Sequence, residues 1–396
     1  MPSFTDEYTF EIEASFDINA GEDVPDKEVP EYKLGTADGG KAAEKCAVRN
    51  ILTGIFTVIP PSADNHGPVR VAGTYYLAYE DGTPYHCIGT TCYVWNLQNE
   101  ELQKQTLKTL EENAFNKIRF CIFPKHYDYN LHEPITYPYE GTPCDSTVLN
   151  ENNFAEYNGC APGNDWDFTR FNPAHFQHIE KCIQALMNLG IEADLIVMHP
   201  YDRWGFSMMK AEDDDRYWKY VLARFSAYRN VWWSLANEYD LMHEKTLSDW
   251  ERYAGIICEK DPYHHLRSIH NCKAYYDYNL PWITHCSIQR TETYRSSELV
   301  NEWREKYHKP VILDEICYEG NIQFGWGNIS GEEMTRRFWE HSAAEDIRDT
   351  VKLISVRIVF SGGLMAAFFM EPHRIVSDFL QKSWKKHRDW CGTYAL

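Results

Sequence analysis

The sequence predicts an α/β fold: a (β/α)8 TIM barrel with a defective eighth strand, preceded by a partial β-sandwich domain. Three observations predict it. From about residue 73, strand-like apolar runs alternate with amphipathic helical ones. Seven such units follow in order, one short of a closed barrel. Residues 1 to 72 instead carry period-two strand patterning around a long polar stretch.

The strand-like runs are His86–Thr91, Lys117–Phe123, Ile191–His199, Val231–Ala236, Leu266–His270, Ile283–Ile288 and Pro310–Glu315. Helical patterns fall between several of them, at Asn99–Glu112, Pro173–Leu189, Asp213–Ala227, Thr246–Glu259 and Ser296–Tyr307. Strands that return through helices must be parallel, and seven or more favour a barrel over an open sheet. An open dinucleotide-binding sheet would need a Gly-rich turn after its first strand, where this chain has Gly89-Thr90-Thr91. Trp232 and Trp233 adjoin on one strand, so at most one faces the barrel interior. The run Asp213-Asp214-Asp215 suits a helix N-terminus, where the dipole favours negative charge.

At the N-terminus, Tyr8 to Phe16 and Gly54 to Ile59 alternate like half-buried strands. Between them Asn19 to Glu44 is rich in Gly, Asp, Lys and Pro and reads as a long loop. Two or three strands cannot close a sandwich, so this region reads as a fragment of a small β domain. Pro60, Pro61 and the polar run to Pro68 form a linker.

Composition narrows the function. The net charge of −20 disfavours nucleic acid and anionic membranes, both of which attract basic surfaces. It also favours a neutral substrate over an anionic polymer. Aromatic residues make up 15% of the chain, suited either to stacking on sugar rings or to packing the core. No apolar run reaches membrane-spanning length, and the first ten residues lack a secretory pattern, so a cytoplasmic location is expected. The 12 cysteines are scattered without metal-type spacing and read as reduced, mostly buried thiols.

Catalytic groups in such barrels project from the C-terminal ends of the strands. Those ends carry Arg119, His199, Asn237-Glu238, His270-Asn271, His285, Ser287 and Asp314-Glu315. Two carboxylates on strands four and seven face each other across a barrel mouth. Glycosidic cleavage needs such a pair, one protonated as an acid and one ionised as a nucleophile, at about 5–5.5 Å for retention. No cofactor and no metal are implied.

The runs Trp232-Trp233-Ser234-Leu235-Ala236-Asn237-Glu238 and Val311-Ile312-Leu313-Asp314-Glu315 resemble the strand-four and strand-seven motifs of clan-A glycoside hydrolases. Asp81-Gly82-Thr83-Pro84 through Gly89-Thr90-Thr91, with Phe115-Asn116-Lys117-Ile118-Arg119, resembles the apiosidase-like and related cellulase-like enzymes. The resemblance covers roughly residues 50–340 and implies an N-terminal immunoglobulin-like domain for residues 1–72. It implies Glu238 as acid/base and Glu315 as nucleophile, on a neutral glycoside or plant-type oligosaccharide. Asn237 would bind the sugar 2-hydroxyl, and Arg119 would hold Glu315 ionised. His199 and His270 would line the sugar pocket. The loop after strand three, with Tyr201, Asp202 and Trp204, would add contacts. His285, Asn271, Gln289, Trp95, Tyr318 and Trp326 complete the candidate set.

Plainer readings stand beside these. Arg119 is equally suited to a structural ion pair, and His199, His270 and His285 to hydrogen-bonded packing. Trp95, Trp204 and Trp326 stand in loop-like contexts that suit stacking on sugar. Histidines ending strands three, five and six could also ligate metal in an amidohydrolase-like barrel. Such sites draw a His-x-His pair from strand one, which is absent here. The third reading is a carbohydrate-binding barrel impaired in catalysis.

The tail, residues 341–396, departs from the pattern. Enzymes resembling this one carry Gly-Gly-Tyr, then Gly-His-Gly-Glu-Thr-Tyr, and later Trp-Trp-Ser-His-Gly-Gly, where strand eight belongs. Read one base out of register, the codons for residues 343–354 permit Cys-Arg-Gly-Gly-Tyr-Pro-Gly-His-Gly-Glu-Thr-Tyr. The same offset over Ser361 to Ala367 permits Trp-Trp-Ser-His-Gly-Gly-Ile. Two long matches in one offset imply a frame shift near residue 341, so the eighth strand's place is taken by sequence not selected for it. Val351–Ile354 and Arg357–Phe360 are the tail's β-prone runs. A protein with the one-base shift reversed is expected to melt at a higher temperature than this chain. Side-by-side thermal melts check this, and an equal or higher midpoint for the chain as it stands sinks the frame-shift argument.

Overall fold

The computed structural model describes residues 7–18, 46–113, 115–126, 133–144, 162–289, 299–319, 324–334, 336–337 and 359–360. The chain divides into two compact units, Met1–His66 and Gly67–Leu396. In the first unit, β1 (Glu7–Ile18) pairs antiparallel with β2 (Cys46–Thr57), from Glu7 opposite Thr57 to Ile18 opposite Cys46. Tyr8 stacks on Phe56 across this ribbon, ring centroids 5.4 Å apart. The second strand starts well before Gly54, the point where its alternation becomes legible. Neighbouring polar residues (Arg49, Asn50) and apolar ones (Ile51, Leu52) break the period of two. Among the described residues this unit is a two-stranded ribbon.

The second unit opens with a hairpin the sequence reading treated as linker and boundary, β3 (Val69–Ala72) and β4 (Tyr76–Tyr79). Its Val69 and Leu77 pack with Tyr85, Trp232, Leu266 and Ile312, so the hairpin closes the barrel floor. The unit therefore begins at Gly67 rather than at residue 73. Next come β5 (Gly89–Thr91), α1 (Glu100–Glu111) and β6 (Lys117–Cys121). A second hairpin, β7 (Tyr139–Thr142) with β8 (Asp165–Phe171), was not legible in the sequence. Then follow α2 (Pro173–Asn188), β9 (Glu192–Met198), α3 (Ala211–Phe225), β10 (Val231–Ala236), α4 (Leu247–Lys260) and β11 (Arg267–Ser268). The described part ends with β12 (Cys286–Gln289), α5 (Val300–Tyr307), β13 (Val311–Glu315), β14 (Tyr318–Glu319) and β15 (Val359–Phe360).

The helices start where their caps dictate. Asn99 accepts from the Leu102 amide at 2.9 Å to begin α1, and Asn172 with Pro173 begins α2. Thr246 and Asp249 form a reciprocal capping box on α4. The Asp triplet does more than favour a dipole. Asp214 is buried and bonds Lys245 at 2.6 Å and Tyr253 at 2.6 Å, while Asp215 pairs with Arg252 at 2.8 Å. It ties α3 to α4.

Strands β5, β6, β9, β10 and β11 form one parallel sheet in sequence order. A parallel bridge from His270 to Ser287 leads on to β12, which pairs in parallel with β13. These are the seven strands the alternation predicts, parallel and in sequence order within an α/β architecture. The eighth place and the frame-shift reading of residues 341–396 lie outside the described residues, apart from Val359–Phe360. That segment pairs in parallel with Tyr318–Glu319. No helix among the described residues is long and apolar enough to cross a membrane.

The pleat sorts side chains to two faces. Ile118, Phe120, Trp233 and Leu235 join the large core between sheet and helices. Trp232 turns the other way, into the floor cluster, so the adjacent tryptophans face opposite sides as expected. The interior is ionic: Lys117 lies 2.6 Å from Asp194, 3.7 Å from Asp314 and 4.5 Å above the Trp232 ring. Ser287 donates to Asp314. Removing one member of a buried pair strands the other charge, at about 3–5 kcal/mol. Asp194→Ala is expected to lower the unfolding free energy by about that amount. The apolar double replacement Lys117→Met with Asp194→Leu should recover much of it. Urea unfolding of the three proteins checks both outcomes.

Candidate active site

Glu238 follows β10. Asn237 still bonds backward, its amide to the Met198 carbonyl at 3.0 Å, and the Tyr239 amide bonds the His270 carbonyl at 2.9 Å. Between them Glu238 adopts a left-handed conformation, φ 53° and ψ 56°. A non-glycine residue there costs about 1–3 kcal/mol, which surrounding structure must hold in place. Its buried carboxylate accepts from the Tyr201 hydroxyl, from Asn237 Nδ2 at 3.3 Å and from the Cys272 thiol. Burial, and then the nearby Glu315 charge, push Glu238 up to about 7; Tyr201, Lys125 and Cys272 pull the other way without reversing it.

Glu315 ends β13 and is buried. Both of its oxygens are hydrogen-bonded, Oε1 by the Tyr93 hydroxyl and Oε2 by the Tyr318 hydroxyl at 2.6 Å. Cys317, at φ 77°, provides the turn that returns Tyr318 to Glu315. Burial first, and the carboxylates second, raise Tyr93, Tyr201 and Tyr318 well above the usual phenol value, so all three remain donors. The two carboxylates stand in different surroundings: one is favoured in its protonated form and one is solvated by phenols.

The other expected residues divide. Asn237 sits beside Glu238 with its Oδ1 buried and unpartnered among the described residues. Gln289 pairs by backbone with Glu315, and its Oε1 is likewise unpartnered. His199 lends Nε2 to the Phe123 carbonyl at 3.3 Å and leaves Nδ1 unpartnered. His270 is buried at the end of strand five. Trp326 packs edge-on to Tyr318 at 5.6 Å and is partly exposed beside exposed Phe324.

Several expectations are corrected. Arg119 does not reach Glu315: its Nη2 donates to Ser234 at 3.0 Å, because it projects into the barrel interior one layer above Lys117. Phenols replace it at Glu315. Trp95 and Trp204 are buried in the helix-facing core, not at the mouth. Asp202 spends its carboxylate on the amides of Trp204, Gly205 and Ser207, fixing the loop that carries Tyr201. Asn271 is occupied by the Gln289 backbone, joining strands five and six. His285 precedes β12 and packs against Trp232 toward the floor, 5.6 Å between centroids. Among the described residues no three His, Cys, Asp or Glu side chains gather as a metal site.

Tyr93, Lys125 and Cys272 were missed. Tyr93 lies two residues past β5, and the strand-end rule applied to strand one would have reached it. Lys125 and Cys272 follow strand ends by a few residues, and sequence gives no sign of where such loops fold back.

The profile of the apiosidase-like catalytic domain matches residues 72–351. The chain belongs to that family. Its fold and family are those of glycoside hydrolases. The match ends just inside the segment read as frame-shifted. A solved structure from Bacteroides vulgatus, assigned as a glycoside hydrolase, is 42% identical with a TM-score of 0.68. The alignment covers 79% of this chain and 60% of that one, so this chain spans about three fifths of that protein. A family 5 glycoside hydrolase from Bacteroides vulgatus is 16% identical, TM-score 0.51, over 71% of this chain and 60% of that one. Another structure, titled a glycoside hydrolase, is 17% identical, TM-score 0.50, over 74% and 69%. The last two share the fold. No curated protein matches the chain.

Burial also sets a pH dependence of stability. His126, His175 and His285 are lowered to about 4, and His199 to about 3. Unfolding releases them to about 6.5, so their contribution is complete above that pH and is lost as pH falls toward 4. Glu192 is raised to about 8 and Glu238 to about 7, chiefly by burial. Their contribution is complete below about 4.5 and is lost as pH rises through 7 to 8. Stability is expected to peak between about pH 6 and 7. Thermal midpoints from pH 4 to 9 check this, and Glu192→Gln should flatten the alkaline side.

Proposed function

We propose that this site hydrolyses a glycosidic bond of a neutral glycoside or plant-type oligosaccharide with retention of configuration. The observation that carries the reading is the split environment of two carboxylates on strands four and seven. Glu238 is poised near 7 and can give a proton at neutral pH, while Glu315 takes hydrogen bonds on both oxygens. Such a pair is what acid-assisted displacement at a sugar carbon requires. Glu238 also feels the Glu315 charge, so the two carboxylates serve one site, and retention asks for them about 5–5.5 Å apart.

In this reading Glu238 protonates the leaving oxygen while Glu315 attacks the anomeric carbon, and the C–O bond breaks as the glycosyl ester forms. Water then attacks that carbon, Glu238 takes its proton, and Glu315 leaves as carboxylate. Tyr93 and Tyr318 hold Glu315 in place. The free acceptors on Asn237 and Gln289 are suited to sugar hydroxyls, with Asn237 nearest the 2-hydroxyl, and Trp326 supplies an outer aromatic wall. The ribbon of β1 (Glu7–Ile18) and β2 (Cys46–Thr57) would correspond to part of an immunoglobulin-like module.

The tail favours one second reading, a barrel that binds sugar but turns it over poorly. Turnover of an aryl glycoside, by this chain and by a frame-restored protein, separates the two. Glu315→Gln should abolish it. Glu238→Gln should slow bond cleavage with poor leaving groups by about 10²–10⁴, spare that first step for activated ones, and slow hydrolysis of the glycosyl ester for both. An unchanged rate in Glu315→Gln removes the assignment, and loss of activity on chelation turns attention to the histidines.

A further inference from the structure

Lys125 follows β6 and takes no part in the chemistry above. Its side chain is buried. The ammonium lies 3.3 Å from the centroid of the Tyr93 ring and 4.0 Å from that of Tyr201. Those two rings are not arbitrary neighbours. The Tyr93 hydroxyl donates to Glu315, and the Tyr201 hydroxyl donates to Glu238. One cation, gripped between two aromatic faces, thus lies against the phenols that serve both halves of the carboxylate pair.

We propose that Lys125 is a positioning residue: it fixes Tyr93 and Tyr201 on their carboxylates and keeps one positive charge against whichever carboxylate is ionised. The inference rests on the roles given above to Glu238 and Glu315. In that cycle Glu315 is ionised and Glu238 protonated before attack. Once Glu315 is esterified and the proton has gone to the leaving group, Glu238 is ionised instead. The negative charge changes place while its total stays the same. A cation tied to one carboxylate would favour one stage, whereas a cation shared by both lets the charge move without reorganisation. A positive charge over a ring face also draws on the ring's electron density and strengthens the phenol as a donor.

Other charges around Lys125 do not take over this role. Arg119 bonds Ser234 through Nη2 and its charge reaches Tyr93 and Glu315 but is not among the influences on Glu238, and Cys121 lies on the strand behind. His126 and His199 are held neutral by burial, with Lys125 opposing their protonation. Burial lowers Lys125 itself, and Cys121, Glu238 and Glu315 oppose that fall.

The test follows the Glu238 carboxyl by ¹³C NMR titration, the signal identified by its absence in Glu238→Gln. Lys125→Met removes the charge and keeps the length. Its Glu238 should titrate at a pH higher by about one unit, because the charge that favours ionisation is gone. Lys125→Arg should stay closer to the unsubstituted chain. A folded Lys125→Met protein, judged by its thermal midpoint, with an unmoved Glu238 titration overturns the proposal. Should that variant not fold, the Lys125 side-chain resonance of the unsubstituted chain gives the answer. It should inflect near pH 7, where Glu238 titrates, and a flat response overturns the proposal equally. Neither readout needs turnover, so a barrel that binds sugar without cleaving it counts against the catalytic reading alone.

Discussion

Lys117 stands inside the barrel with Asp194 at 2.6 Å and Asp314 at 3.7 Å, and much of the structure follows from that contact. An unpaired charge at this depth is not tolerated, so β6, β9 and β13 must keep a register that brings the three groups together. The same register sets Arg119 one layer higher, on Ser234, and lifts Glu315 to the strand end beside Asp314. Apolar packing belongs to the outer face, where the strands meet the helices. The inner face is organised by charge.

Above this layer, phenols manage the charge. Tyr93, Tyr201 and Tyr318 come from three different segments, after β5, β9 and β13, and each places its hydroxyl on one of two carboxylates. Burial keeps them protonated, so they can only donate. The environment of Glu238 is harsher, with a left-handed backbone, close packing and a charged neighbour. Two chemically identical side chains thereby stand in different surroundings, and burial with the Glu315 charge raises Glu238 to about 7. Glu238 and Cys317 are two of the non-glycine residues in left-handed conformation, with His264 and His308, and these two aim groups at the same centre.

Strand order was legible because each strand is short, apolar and followed by a helix or a long connection. The carboxylates were legible because they end two such strands. Trp95 and Trp204 were misread for a different reason. Loop position suggests exposure, yet a loop can fold its aromatic residue into the core, as the stacking of Trp204 on Phe206 shows. Asp202 and Asn271 looked like ligands because polar side chains near a site serve substrate and backbone alike. Here unpaired amides claimed them first. The first hairpin escaped notice because strands of four residues leave too little alternation to count; in the second, β7 is as short, and the alternating seven residues of β8 stand beside it without a legible partner.

The sequence by itself determined the parallel seven-strand order, the two carboxylates and the family, since these depend on periodicity and on residues at strand ends. Only the tertiary structure decided what surrounds those carboxylates. Tyr93, Lys125, Tyr201, Cys272 and Tyr318 are spread over more than 200 positions of the chain, and no local pattern marks them as neighbours. Parallel packing of successive strands brings their ends together. Proton affinity there is fixed by burial and by charges that only the folded chain brings within reach.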